Sequence, residues 1–267
     1  MPRATVNGID MFYEERGEGA ALLLVHGLGT GSADWEFQYP ALAQKYHVIA
    51  PDQRGFGQTE KPPGPYSIGQ FADDLRSLLD HLGLTRVHLC GISMGGAVAF
   101  QFAVDNPQRV LSVTAINSQP SFELNTMRKR LMVWTRRMMA RHLGLERESR
   151  IQLYRNFPGP HNRAIRRRLA GRFHNDLEPY LAGIDAVAGW TVVDRLNQIR
   201  VPVMFLVGER DFTHPEEKAH FARMIADARV VVFAGARHAM HLERPAEVNA
   251  AILSFLERVD SRQPAGD

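Results

Sequence analysis

Ser93 stands in Gly91-Ile92-Ser93-Met94-Gly95-Gly96, directly after a buried apolar run and directly before a helical pattern. A serine hydroxyl is a poor nucleophile and must be aimed and deprotonated. A sharp strand-to-helix turn would push its Oγ into the open, and flanking glycines remove side chains that would collide there. The helix starting at Met94 points its amino end at the site, which favours negative charge developing beside the serine. A glycine-rich turn with a chance serine has the same spacing. The strand–turn–helix context separates the two readings.

Such a serine needs a base, and the chain has 11 histidines, so position must choose among them. His238 follows the last predicted strand in Gly235-Ala236-Arg237-His238, on the sheet edge expected to carry Ser93. His241 is the decoy three residues on, expected to pack the loop toward Pro245. His81, His88, His142, His161, His174 and His220 fall in helix, strand or insertion positions without that placement. The base needs an acid to hold its tautomer. Asp211, just beyond the run Val203–Val207, is the expected partner, with Glu209 as fallback. The order Ser…Asp…His suits an α/β sheet of this kind.

A tetrahedral oxyanion needs two donors, and losing one costs roughly 3 kcal/mol in the barrier. The N–H of Met94 is one expected donor. The N–H of Leu28, in His26-Gly27-Leu28-Gly29-Thr30-Gly31, is the other. His26 is expected to tie that loop down. The pocket is expected to involve Gly27, Gly29, Trp134, Met138 and Phe212. No cofactor and no metal are expected: Gly27-Leu28-Gly29 lacks the third glycine of a dinucleotide fingerprint, and no His/Cys/Asp/Glu cluster has metal spacing. Cys90, the one cysteine, precedes the turn and reads as a core residue.

These residues need a scaffold that brings distant segments to one rim. Short apolar runs at Ile9–Glu15, Ala21–Val25, Val48–Ala50, Val87–Cys90, Val110–Ile116, Val203–Val207 and Val230–Phe233 read as strands. Helices are predicted over Ile68–Leu82 (N-capped by Ser67, stopped by Gly83), Met94–Asn106, Pro215–Ala226 and Pro245–Val259. Strands alternating with helices predict an α/β fold: a mostly parallel sheet flanked by helices on both faces, with ligands beyond the carboxyl ends of the strands. The expected organisation is a core of residues 1–120 and 186–260, a helical cap or lid over 121–185, and a frayed tail at 261–267.

The 267 residues are 45% hydrophobic and 23% charged, with net charge +3. That balance argues against a nucleic-acid partner. No apolar run is long enough to span a bilayer. A single cysteine and the absence of an N-terminal apolar run suit a cytoplasmic protein. The charge is uneven. Residues 121–185 hold 14 cations and 6 acids, a net +8 that leaves −5 for the remainder. Met127, Leu131, Trp134, Met138 and Met139 recur there at roughly helical spacing. A solvated basic face explains this segment; so does a surface that attracts anionic substrates or lipid head groups.

Taken together, the chain resembles the α/β-hydrolase superfamily along nearly its whole length. The resemblance rests on His26-Gly27-Leu28-Gly29, Asp52-Gln53-Arg54-Gly55-Phe56-Gly57, the Ser93 motif, Gly208-Glu209-Arg210-Asp211, Gly235-Ala236-Arg237-His238 and Glu243-Arg244-Pro245. It is most similar to small bacterial carboxylesterases, 3-oxoadipate enol-lactonases, meta-cleavage-product hydrolases and cofactor-free haloperoxidases. Residues 121–185 show no convincing strand and break the alternation between Val110–Ile116 and Val203–Val207, which reads as a lid inserted after the sixth strand. The resemblance favours His238 over His241, because the family's histidine lies seven residues before the closing proline. Haloalkane dehalogenases and epoxide hydrolases carry aspartate where Ser93 stands. Thr30 replaces a proline usual in meta-cleavage hydrolases, and Leu28-Gly29 stands where haloperoxidases usually carry one.

The function expected is hydrolysis of a small carboxylic ester, apolar or anionic, through an acyl-enzyme on Ser93. The alternatives are a C–C or enol-lactone hydrolase on the same residues, a small-ligand receptor with very slow turnover, and a peroxide-dependent side activity. Monomer and homodimer are both open.

Overall fold

The computed structural model describes residues 2–170 and 175–262. β1 (Arg3–Val6) and β2 (Ile9–Arg16) form an antiparallel hairpin. Its turn is Asn7-Gly8, both at positive φ (44° and 77°), the backbone that a two-residue hairpin loop demands. β3 (Ala20–Val25), β4 (Tyr46–Pro51), β5 (Val87–Ile92), β6 (Val110–Ile116), β7 (Val203–Gly208) and β8 (Ala228–Phe233) complete one eight-stranded sheet. Its order is β1-β2-β4-β3-β5-β6-β7-β8. β2 runs antiparallel to β4, and every later pairing is parallel. The mostly parallel α/β sheet expected from the alternating pattern is therefore present. β1 was not foreseen, although Asn7-Gly8 between apolar residues is a hairpin signal.

Side chains alternate across the central strands and feed two cores. Leu23, Val25, Leu89, Phe205 and Val207 point to one face, and Leu22, Leu24, Cys90, Met204 and Leu206 to the other. The first face is covered by α2 (Ile68–His81) and α3 (Met94–Asp105). The second is covered by α1 (Tyr39–Leu42) and α10 (Pro245–Asp260). Cys90 is a core residue as expected. Ser67 caps α2, its Oγ accepting from the Gln70 N–H at 3.0 Å, and Gly83 follows at φ 67°. α3 is buried on almost every side, which explains why it carries almost no polar face.

α8 (Pro215–Ala222) is shorter than predicted. The N–H groups of Met224 and Ile225 bond the carbonyls of Phe221 and Ala222, three residues back, and this tighter turn carries Ile225 into the core. Between β6 and β7 lie α4 (Met127–Leu143), α5 (Leu145–Asn156), α6 (Arg163–Ala170) and α7 (Leu177–Val187). α9 (Met240–Glu243) is one turn on the way from β8 to α10. Of the tail expected to fray, Ser261 and Arg262 are held. Their N–H groups bond the carbonyls of Glu257 and Val259, and Arg262 pairs with Asp227 at 3.0 Å. Residues 263–267, with Arg172 and His174 of the 121–185 segment, lie outside the described residues.

Candidate active site

β5 ends at Ile92, and Ser93 follows at φ 53°, ψ −118°. A residue with a Cβ held there stores about 1–3 kcal/mol and persists only where its surroundings enforce it. They do so here. The Ser93 N–H donates to the Ile116 carbonyl at 3.0 Å; its own carbonyl accepts from Gly96 at 3.0 Å, Ala97 at 3.2 Å and the Ser118 hydroxyl at 2.6 Å. The glycines are required by space. A Cβ on Gly91 would overlap the backbone of Gly95. One on Gly95 would overlap the Val25 and His26 carbonyls, and one on Gly96 the Ser118 side chain. Met94 opens α3, so its N–H is among those a helix leaves without an internal partner.

The loop after β3 abuts this turn: a Cβ on Gly27 would stand 3.5 Å from that of Ser93. His26 anchors the loop. Its Nδ1–H donates to the Gly27 carbonyl at 2.7 Å, and its Nε2 accepts from the Gln53 N–H at 2.9 Å. Burial lowers its pKa, which keeps this doubly bonded imidazole neutral. Asp52 holds the same region: its carboxylate accepts from the N–H groups of Ser32 at 2.5 Å and Gln58 at 2.7 Å. Arg54 pairs with buried Asp74 through two bonds of 2.5 and 2.6 Å. The Asp52–Gly57 motif is thus scaffolding for the loop. Among the described residues the N–H of Leu28 makes no backbone hydrogen bond, and Leu28 and Met94 both line the cavity with Ser93.

His238 Nδ1 donates to Asp211 Oδ1 at 2.7 Å. That contact sets the tautomer and leaves Nε2 free to accept a proton. Phe212 packs on the imidazole, ring centroids 4.5 Å apart. Among the described residues no hydrogen bond joins Ser93 Oγ to His238, although both line one cavity. In unliganded hydrolases this contact is often long and tightens around substrate. Glu209, the fallback acid, is engaged elsewhere, its carboxylate accepting from the Gly235 N–H at 2.6 Å. His241 is buried under Trp35, with Nε2 3.4 Å from Asp34, and does not reach Asp211.

Two positioning side chains escaped the sequence reading. Asn117, at φ 44° just past β6, donates from Nδ2 to the Arg237 carbonyl at 3.0 Å and the His238 carbonyl at 2.7 Å. Its Oδ1 accepts from the Gly208 N–H at 2.7 Å. One buried amide thus ties the histidine loop to the end of β7 that leads to Asp211. Lys218 on α8 is fully buried behind that acid. Its Nζ donates to Asp211 Oδ2 at 3.3 Å, to the Thr213 carbonyl at 2.5 Å and to the Thr213 hydroxyl, which donates to Asp211 Oδ2 at 2.5 Å. Burial pushes the Asp211 carboxyl up. His238, Lys218 and Thr213 pull it further the other way, to about 2. Burial lowers the Lys218 ammonium against the pull of Asp211. A lysine on an amphipathic helix normally reads as solvated, and no sequence signal marked this one.

Ser93 and His238 open into a cavity of about 1470 Å³, whose wall includes Gly27, Leu28, Gly29, Met94 and Phe212. Trp134 and Met138 do not line it. The helical phase of α4 turns Lys129, Val133, Arg136 and Met139 toward the cavity and leaves Trp134 57% exposed. Arg136 bonds Glu148 at 3.2 Å and the Tyr180 hydroxyl at 2.8 Å across the cavity roof. No group of three His, Cys, Asp or Glu side chains able to hold a metal occurs among the described residues. No helix among them is long and apolar enough to cross a membrane.

With this geometry in place, known proteins give its context. The profile of the α/β hydrolase fold family matches residues 20–245. A 3-oxoadipate enol-lactonase of Acinetobacter baylyi is 29% identical over 89% of this chain and 89% of its own. The enol-lactonase from Burkholderia xenovorans LB400 superposes with TM-score 0.89 at 28% identity, over 96% of this chain and 100% of that one. A thermophilic esterase from Thermogutta terrifontis follows at TM-score 0.85 and 27% identity, over 97% and 98% of the two chains. Fold, motif order and family profile agree: the chain belongs to the α/β-hydrolase fold family.

Proposed function

We propose that this protein is a serine hydrolase that cleaves carboxylic esters through an acyl-enzyme, with Ser93 as nucleophile, His238 as base and Asp211 as its orienting acid. One observation carries the reading. A serine held at positive φ by three obligatory glycines shares a cavity with an imidazole whose Nδ1 is bound at 2.7 Å to a buried carboxylate. A plain structural turn has no use for that strain.

His238 Nε2 takes the proton of Ser93 Oγ as the oxygen attacks the acyl carbon. The N–H groups of Leu28 and Met94 receive the oxyanion. The imidazolium returns its proton to the departing alkoxide, leaving the acyl group on Ser93. Water, deprotonated by His238, then attacks the same carbon and releases the acid and the serine. Asp211 keeps the imidazole in register and stabilises its charged form.

A cyclic ester is the second reading, favoured by the enol-lactonases of similar sequence and structure. The bond and the residues are the same; the alcohol simply stays on the acyl chain. Ser93→Ala should lower kcat/KM on p-nitrophenyl butyrate by about 10⁴-fold or more. A fluorophosphonate should label the wild type at Ser93 alone. Substantial turnover by the variant, or labelling elsewhere, would remove the assignment. Comparing p-nitrophenyl esters with small lactones then separates the two readings.

A further inference from the structure

α4 carries no acidic residue and six cations: Arg128, Lys129, Arg130, Arg136, Arg137 and Arg141. Lys129, Arg136 and Arg137 are paired with Glu217, Glu148 and Asp185. Arg128, Arg130 and Arg141 are exposed and have no acidic partner among the described residues. Between them runs an apolar stripe. Met127, Leu131 and Trp134 recur at i, i+4 and i+7 and are 77%, 58% and 57% exposed. On the helix Arg130 and Arg141 border the stripe on one side and Arg128 on the other. Leu131 and Arg128 also line the cavity that holds Ser93, so the stripe adjoins that cavity.

An exposed apolar row with tryptophan, flanked by cations and free of acids, is the composition of a helix that lies in a lipid–water interface. Large apolar side chains are rarely left in water in such a row without a use. We infer that α4 docks on an anionic lipid surface, seating Met127, Leu131 and Trp134 among the acyl chains with its arginines at the head groups, and so presents the cavity mouth to the membrane. Charge complementarity selects this occupant over a second copy of the chain. Two α4 helices face to face would set the three unpaired arginines of one against the three of the other. The inference concerns where the protein sits, and it does not depend on which bond Ser93 attacks.

Flotation of the full-length protein with phosphatidylglycerol-containing vesicles, against pure phosphatidylcholine, tests it. Wild type should float with the anionic vesicles only. It should be released at about 0.5 M salt, where the screening length is roughly 4 Å. Arg130→Gln with Arg141→Gln should weaken partitioning by about 25-fold, at roughly fivefold per cation. Met127→Ser with Trp134→Ser should weaken it by about tenfold or more. Both double variants should keep wild-type turnover of a water-soluble ester, which shows them folded. Trp134 emission should move to the blue on anionic vesicles, and Trp134→Phe should abolish that shift. Ser93→Ala should float like wild type, so failure of the hydrolase reading and failure of docking remain distinguishable. Equal partition to neutral and anionic vesicles, binding indifferent to salt, or a dimer in solution that both double variants dissociate would each overturn the proposal.

Discussion

The rim around Ser93 and the face of α4 are built on opposite terms. At the rim, backbone decides: positive φ at Ser93 and Asn117, glycines with no room for a Cβ, and carbonyls bound by Asn117 and Ser118. On α4, side chains decide: large apolar residues and arginines stand in solvent, and of its ion pairs Lys129–Glu217 and Arg137–Asp185 are peripheral while Arg136–Glu148 lies at the cavity. Geometry held by buried hydrogen bonds and steric contact tolerates little, because unsatisfied buried groups and overlapping atoms cost several kcal/mol. A solvated surface tolerates substitution without loss of fold, and its cost appears only when something binds. The two regions should therefore respond to mutation in different currencies: catalysis and folding at the rim, association at α4.

Gly95→Ala is the strongest way to break this contrast. Its methyl would overlap the Val25 and His26 carbonyls, and the helix after Ser93 cannot retreat from a buried position. The expected outcome is loss of soluble protein, or a drop in Tm of about 5 °C or more, from overpacking of about 3 kcal/mol in a domain of this size. A variant of unchanged Tm and turnover would show the turn to be far softer than its geometry implies.

Asn117→Ala comes next. It frees the His238 carbonyl and the Gly208 N–H while leaving all three proposed catalytic side chains in place. A misplacement of about 1 Å can cost about 100-fold. We expect kcat on p-nitrophenyl butyrate to fall by roughly 10- to 100-fold with KM nearly constant. A change confined to KM would instead mark Asn117 as part of the substrate pocket.

Lys218→Met has the smallest expected effect and the most specific one. It removes the buried cation behind Asp211 while filling its volume. The carboxylate, no longer shared with an ammonium, interacts more strongly with the His238 imidazolium. The acid limb of the kcat/KM profile should then move to higher pH, with a loss of about tenfold or less at neutral pH. Glu217 lies beside Lys218 on α8 and remains in the variant, so its contribution cancels in the comparison. A lower kcat/KM with an unmoved profile would assign Lys218 to packing alone.

Much of the rim was legible in the chain because its determinants are local. The run from Val87 into Gly91 and on to Met94 writes strand, turn and helix start in eight residues, and Asp211 and His238 each follow an apolar run closely. The two proposed catalytic side chains beyond the turn were found by their places after strands, and the structure joins them at 2.7 Å. Asn117 was visible only as a strand-ending residue, since its partners are about 90 and 120 positions away. β1 was missed because four residues of mixed polarity become a strand only when paired with β2. Trp134 and Met138 were expected in the pocket on composition. Helical phase relative to a neighbour decides which side of α4 faces in, and no local pattern encodes it.

By itself, then, the sequence determined the alternation that yields a mostly parallel sheet, the strained turn at Ser93, the order of its partners and the acid-free, arginine-rich α4. Each of these is set by residues within a few positions of one another, where backbone preference and side-chain type suffice. Only the tertiary structure decided that Asp211 rather than Glu209 meets His238, that Asn117 and Lys218 stand behind them, and which face of α4 is left to solvent. Those outcomes depend on which strand ends become neighbours and on which polar groups lose their water, and both are properties of the packed chain.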